Sequence, residues 1–418
     1  MNRQNLRRCL ALVFCLGLTP GAPTSAQVAK GPPNAAPASG VVTVPGMAPV
    51  TDPTNLYSET VAGRISPAIA ADLPRVYVPN LQSNDVYVID PATQKVVDRF
   101  KVGINPQHVV PSWDLKTLWV ANNAEGRTTG SLTPIDPKTG KPGPAITVDD
   151  PYNMYFTPDG RSAIIVAEAL KRLDFRDPHT MALQSSIATP KCGGINHADF
   201  SIDGRYAIFT CEFQGTVVKI DLVERKVLRH IQLIKPGVPT KTVKGSDGRD
   251  EIISTWKGMP QDIRISPDGK LFFVADMMAN GVFVVDDETF AQIGFIPTGV
   301  GTHGLYPSRD GKKLYITNRG SNRIHGPAHG KGSVSVMDFA TRIIEATWPI
   351  PGGGSPDMGN VSADGKFLWL AGRYDNVVYV IDTANGSVNI IPVGMEPHGL
   401  TVWPQPGRYS LGHTGNMR

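Results

Sequence analysis

Cysteine is scarce in this chain: four among 418 residues, with Cys9 and Cys15 inside the first 26. The other two, Cys192 and Cys211, are too few for a thiolate metal cage, and no C-x-x-C-H run is present to attach a c-type haem. Neither H-E-x-x-H nor G-x-S-x-G occurs, so the two commonest zinc-hydrolase and serine-hydrolase signatures are missing. Beyond residue 18 no apolar run approaches the roughly 20 residues that a bilayer span needs. An excess of charge is lacking too. Dropping residues 1–26 removes three of the 41 basic residues and none of the 37 acidic ones, which leaves a net charge of +1. Such a chain has no general electrostatic attraction to nucleic acid or to an anionic membrane.

What is present begins with an address. Arg3, Arg7 and Arg8, an apolar run from Cys9 to Leu18, and Thr24-Ser25-Ala26 follow the order of a signal peptide cleaved near Ala26. The expectation is therefore a periplasmic or secreted protein. Arg7-Arg8 leaves both general and twin-arginine export open. Residues 27–55 are rich in Pro, Ala and Gly without periodicity, which predicts a flexible lead segment.

From residue 75 the sequence repeats itself. RVYVPN…NDVYVID, TLWVANN…SLTPID, AIIVAEA…KRLDFRD, AIFTCEF…TVVKID, LFFVADM…GVFVVDD, LYITNRG…SVSVMD and FLWLAGR…NVVYVID are seven copies of one unit, ending at Asp90, Asp136, Asp177, Asp221, Asp286, Asp338 and Asp382. Asp-Gly pairs at 159–160, 203–204, 268–269, 310–311 and 364–365 stand between β-like runs as hairpin turns. The shortest spacing between copies, Val78 to Val120, is 42 residues, the length of four short strands and so of one propeller blade. The fold expected is all-β: a seven-bladed propeller over residues 56–418, with four-stranded antiparallel blades whose strands are lettered a to d from the channel outward. Eight segments resemble strand a, including 64–70 and 398–403. The surplus predicts closure by the C-terminus, with 398–403 completing the first blade.

These segments resemble the YVTN β-propeller family, whose repeat reads roughly PxG, SPDG, YVxN and VxVID; GMPQDIRISPDGKLFFVAD and THGLYPSRDGKKLYITN are the nearest copies. That family is distantly similar to the haem-d1 domain of cytochrome cd1 nitrite reductases. The resemblance spans about 75–404 and implies the fold, whereas propellers of this kind serve many unrelated functions.

The start of each strand a surrounds the mouth of the central channel, and here the unusual residues collect. The ring positions carry His108, Asn153, His197, Asp262, His303, Asp357 and His398: four of the nine histidines in the chain, and two carboxylates. Convergent imidazoles and carboxylates suit Zn, Cu or Fe, or axial ligation of a haem-d1-like tetrapyrrole. The expected metal set is His108, His197, Asp262, His303, Asp357 and His398. A cofactor would also meet Asn153 and the strand-b ends at Arg319 and Arg373. One feature opposes a shared site: His108, His197 and Asp262 stand one position later than His303, Asp357 and His398, and adjacent side chains of a regular strand face opposite ways. The alternative is that these are ordinary repeat residues bonding the channel wall, and that strand-b residues such as Asn80, Asn122 and Asn318 cap backbone groups.

Two insertions, 233–258 and 320–332, fall on the same face and are candidate binding loops. His325 and His329 can add ligands there, and Lys241, Lys244, Arg249 and Arg323 can meet an anion. Hairpin pairing about residue 203 sets Cys211 opposite residue 195 rather than 192, so a disulfide needs a bend in the chain; bonded and free thiols both remain open.

The function that follows is a binding protein holding a metal, a tetrapyrrole, another small molecule or a periplasmic protein at the channel mouth. A metal-dependent oxidoreductase, lyase or hydrolase on the same ring, and a purely structural interaction platform, are the alternatives. The Glu, Asn, Asn, Asp metal set of gluconolactonase-like propellers and the Trp motifs of quinoprotein propellers are not apparent.

Overall fold

The computed structural model describes residues 40–245 and 248–418, so the expected signal peptide and the first part of the lead segment lie outside the described residues. Seven antiparallel sheets follow one another around a central channel. The innermost strands are Thr401–Trp403, Pro106–Pro111, Pro151–Phe156, Ile195–Phe200, Pro260–Ile265, Thr302–Pro307 and Pro356–Val361. Blade one is closed as the repeat surplus predicts: Thr401–Trp403 pairs with Arg75–Asn80, setting Arg75 against Trp403 and Tyr77 against Thr401. The other strand-a-like segment, 64–70, does not enter a sheet; Pro67–Ile69 forms a 3-10 turn whose preceding Ser66 accepts a bond from the Ala68 amide.

The repeat dictates this architecture turn by turn. In five blades the hairpin from strand a to strand b carries Ser or Thr two residues before Asp, and its hydroxyl donates to that Asp at 2.6 Å. The following glycine sits at φ between 69° and 79° in all five, a conformation that a side chain with Cβ disfavours by roughly 1 kcal/mol or more. Inner strands such as Ile195–Phe200 are buried along their whole length, while an outer strand such as Lys226–Gln232 is largely half-exposed. Apolar clusters fill the gaps between neighbouring blades. One of them joins Tyr155, Ile164 and Phe175 of blade three to Phe200, Phe209 and Val218 of blade four.

Both ends of the described chain cover the face of the Asp-Gly turns. The lead segment is packed from well before residue 55: the Val44 amide bonds Asp203 O, the Leu56 amide bonds Pro267 O, and Val50 is buried against blade-five residues. Its Pro- and Gly-rich composition hid single apolar anchors that a nearby surface can cover. The inserted segment 233–258 carries a hairpin of its own, Lys241–Lys244 paired with Asp250–Ile253. No helix of the described residues is long and apolar enough to cross a membrane.

Cys192 and Cys211 form a disulfide, with Cα atoms 4.9 Å apart. Cys211 does pair with Ile195 in the sheet. The bend that brings Cys192 back comes from Gly194 at φ 68°, whose carbonyl bonds the Glu212 amide. The bond closes a loop of 19 residues' separation, so replacing both cysteines by serine is expected to cost about 3 kcal/mol. Urea denaturation of oxidised wild type against the double variant measures this directly.

Candidate functional site

A repeated irregularity in strand a turns the ring inward. In blade five Pro260 pairs with Asp276 and Ile263 with Val274, so three steps of strand a oppose two of strand b. Blades two, three, four, six and seven carry the same extra residue at the same level. A bulge of this kind breaks the two-residue alternation. Both members of a ring pair therefore become buried: Asn196 and His197 are each 0% exposed. The offset between the two sets of candidates, which opposed a shared site in the sequence, is absorbed by this bulge.

The four ring histidines are neighbours. Ring centroids of His108 and His398 are 4.8 Å apart, those of His108 and His197 5.7 Å, and those of His303 and His398 6.1 Å. A fifth imidazole, which sequence reasoning missed, joins them. His413 lies in the 3-10 turn His413–Gly415 near the chain end, with its ring 4.1 Å from His108 and 4.6 Å from His197. One ring nitrogen from each of His108, His197 and His413 lies within 4.8 Å of the other two. Bonds of about 2.0–2.1 Å to one ion place tetrahedral ligand atoms about 3.4 Å apart, so the ligand atoms need to close in by at most about 1.4 Å. No repeat carries His413 and no motif surrounds it; only the path of the tail brings it here.

The rest of the ring divides into two roles. Asp357, fully buried, is a hub of charge: Arg319 Nε and Nη2 donate to its Oδ1 at 3.1 and 2.8 Å, and His398 Nδ1 lies 2.7 Å from its Oδ2. His303 Nδ1 is 2.9 Å from the same carboxylate, and Arg319 Nη2 is 2.7 Å from His303 Nε2. With Arg319 donating to Nε2, the His303 proton sits on Nδ1, which is close to the Asp357 carboxylate without being aligned to donate to it. Burial pushes the Asp357 carboxyl up, but Arg319, His303 and His398 together hold it well below the usual carboxylate range. Burial lowers His303 to about 4 and His398 to about 3. Arg373 is engaged with Glu396 at 3.2 Å and stands 3.9 Å from Asp357.

His108, His197 and His413 are the second group. Burial first, and then the neighbouring histidines, hold all three far below the ordinary imidazole range, so they are neutral and able to donate lone pairs. Neither nitrogen of His108, nor Nε2 of His197 or of His398, has a hydrogen-bond partner. Buried polar atoms of this kind are ordinarily satisfied, and each unpaired one costs on the order of 1–3 kcal/mol. Asn153 Nδ2 lies 3.2 Å from His197 Nδ1 and orients that ring. Gly399 backs His108 so closely that a Cβ there would come within 1.9 Å of Nδ1, and only glycine leaves the imidazole its place.

Other candidates lie elsewhere. Asp262 accepts from the Ile263 and Leu305 amides and pairs with Arg264 at 3.4 Å, which ties blade five to blade six below the histidines. His325 and His329 have side chains 74% exposed and stand outside the cluster. Lys244 pairs with Asp250 at 2.7 Å. The strand-b asparagines act as caps: Asn318 donates to Ser333 and Ser335 and accepts from the Gly299 amide. As packed, the rings lie against one another and do not fit a tetrapyrrole macrocycle between them, whereas a single ion asks for a small contraction.

Residues 33–192 match the family model for YNCE-like beta-propellers. The YncE protein of Salmonella typhi is 22% identical over 300 residues, which cover 68% of this chain and 74% of that protein. Among solved structures, hydrazine synthase of Kuenenia stuttgartiensis superimposes with a TM-score of 0.52 at 18% identity, covering 70% of this chain and 87% of that one. The dihydro-heme d1 dehydrogenase NirN, solved in complex with DHE, does so with a TM-score of 0.52 at 14% identity, covering 78% and 75%. The chain is thus distantly related in sequence to the YncE-like β-propellers, and at such identities its likeness to the solved structures concerns the fold alone.

Proposed function

We propose that this chain is an exported, periplasmic propeller that binds one late first-row transition-metal ion, copper or zinc, on His108, His197 and His413. The observation that carries the reading is the set of buried, neutral imidazoles whose nitrogens converge while both nitrogens of His108 and Nε2 of His197 lack partners. Three neutral imidazoles suit either ion. Binding is favoured over turnover because the three side chains are 0–2% exposed, which gives a substrate no approach to the ion. His398, oriented by Asp357, stands beside His108 as a neutral neighbour rather than as a fourth member of the converging set.

The test is titration of the mature, metal-free protein with Zn(II) and Cu(II), followed by calorimetry and elemental analysis. One ion per chain is expected, with affinity falling at least about 100-fold in His108→Ala/His197→Ala. His230→Ala, on the outer strand of blade four, serves as the control and leaves binding unchanged. Substoichiometric binding by the wild type, or equal affinity in the double variant, overturns the reading.

A further inference from the structure

The third imidazole arrives on a segment that no blade contains. After Trp403 the chain turns back beneath the ring, and residues 404–418 occupy the far end of the channel. The Ser410 amide bonds Trp113 O at 3.2 Å, the Phe156 amide bonds Leu411 O at 3.1 Å, and Gly412 bridges Tyr155. Asn416 Nδ2 and Arg418 Nη2 each donate to Asp199 Oδ1 at 2.9 Å. Tyr409, Leu411 and Met417 are 1–3% exposed, so the tail is a fitted plug rather than a surface strand. His413 projects from its turn to within ring contact of His108, His197 and Tyr155.

Resting on the metal reading above, we infer that the C-terminal tail is a metal-locked clasp: a Zn(II) or Cu(II) ion bridging His413 to His108 and His197 fastens the plug into the channel. The geometry assigns the two kinds of ligand to different mechanical bodies. His108 and His197 belong to strands paired within blades two and four. His413 belongs to the tail, which is part of no blade's sheet; backbone bonds, side-chain bonds such as the Asp199 anchors and buried apolar side chains keep it in place. An ion that joins the two bodies must be expelled, or its bond to His413 broken, before the tail can leave. By the reciprocity of linked equilibria, holding the tail in place raises affinity for the ion as much as the ion holds the tail. The clasp also accounts for the sealing of the site: the same segment supplies the last ligand and closes the channel on that side. The ion enters when the tail is out and is retained when it is in.

The test is hydrogen–deuterium exchange of the full mature chain, with and without one equivalent of Zn(II), followed in peptides covering residues 404–418. In the wild type, zinc is expected to slow exchange of tail amides by about tenfold or more. In His413→Ala, and in His413→Gln as a variant that retains volume and polarity, zinc gives no such slowing, while the exchange pattern of blades two to seven stays native. Stoichiometric zinc without added tail protection in the wild type overturns the clasp and leaves the metal reading standing. Equal protection in both His413 variants does the same. A wild type that takes up only Cu(II) is read by the same exchange experiment with one equivalent of Cu(II), and failure to take up either ion removes both.

Discussion

Asp357→Asn lowers the stability of the metal-free protein by about 3–5 kcal/mol. The carboxylate is 0% exposed and neutralises Arg319, itself 4% exposed, while positioning His303 and His398. Removing one partner of a buried ion pair leaves an uncompensated charge in a medium that solvates it poorly, and that penalty exceeds what the pair gains over an apolar replacement. The second half of the expectation follows from the same logic: Asp357→Leu combined with Arg319→Met recovers most of the loss. Urea midpoints of the wild type, the single variant and the double variant decide it; a single-variant loss under about 1 kcal/mol would show that Asp357 is not the hub. The pH dependence has a definite sign. The Asp357 pKa is depressed in the folded state, so its contribution is fully present above the ordinary carboxylate value near 3.8 and is lost as pH falls toward the lower folded value. The gap between wild type and Asp357→Asn is therefore constant above about pH 5 and narrows only in stronger acid.

Deleting residues 404–418 is expected to cost at least about 4 kcal/mol. Tyr409, Leu411 and Met417 each bury an apolar side chain worth roughly 1.5–3 kcal/mol. The deletion also strips Asn416 and Arg418 from Asp199, whose side chain is fully buried. Trp113 loses the stacked Tyr409 ring at 5.6 Å, so its fluorescence reports the exposure without unfolding. Arg408→Ala, in the same segment but bonding the exposed Pro49 carbonyl and lying 5.7 Å from the centre of its neighbour Tyr409's ring, leaves stability within about 0.5 kcal/mol of wild type. Coincidence of the truncated and full-length denaturation midpoints would mean that the channel is stable when open at that end.

The blades were legible because a repeat multiplies a weak signal sevenfold. A single VYVID is a strand and nothing more, whereas seven copies with Asp-Gly turns between them fix strand number, order and closure. The ring of His108, His197, His303 and His398 was legible for the same reason, since alignment of repeats brings their positions to one level. What the sequence hid is local in one case and tertiary in the other. The extra residue in strand a changes which way His108 and His197 point, and nothing in the letters PQH or INH marks a bulge. His413 is concealed more deeply: its place depends on Leu411 and Gly412 lying along Tyr155 and Phe156, a contact between residues more than 250 positions apart. Asp262 was misplaced for a simpler reason. At ring level its carboxylate had two directions open to it, and two backbone amides with Arg264 took it away from the imidazoles.

The pairing of Tyr77 with Thr401 sets an order on events in the life of the chain. As the polypeptide emerges from the ribosome, or threads through a translocation pore, three strands of its first blade are made early and their inner neighbour comes last, some 320 residues later. Until then Val76, Tyr77 and Val78 present an unpaired edge able to accept a strand from another molecule. Loss of the final eighteen residues, by a premature stop or by proteolysis, would leave that edge open permanently, so chains damaged at the end are the ones most prone to join one another.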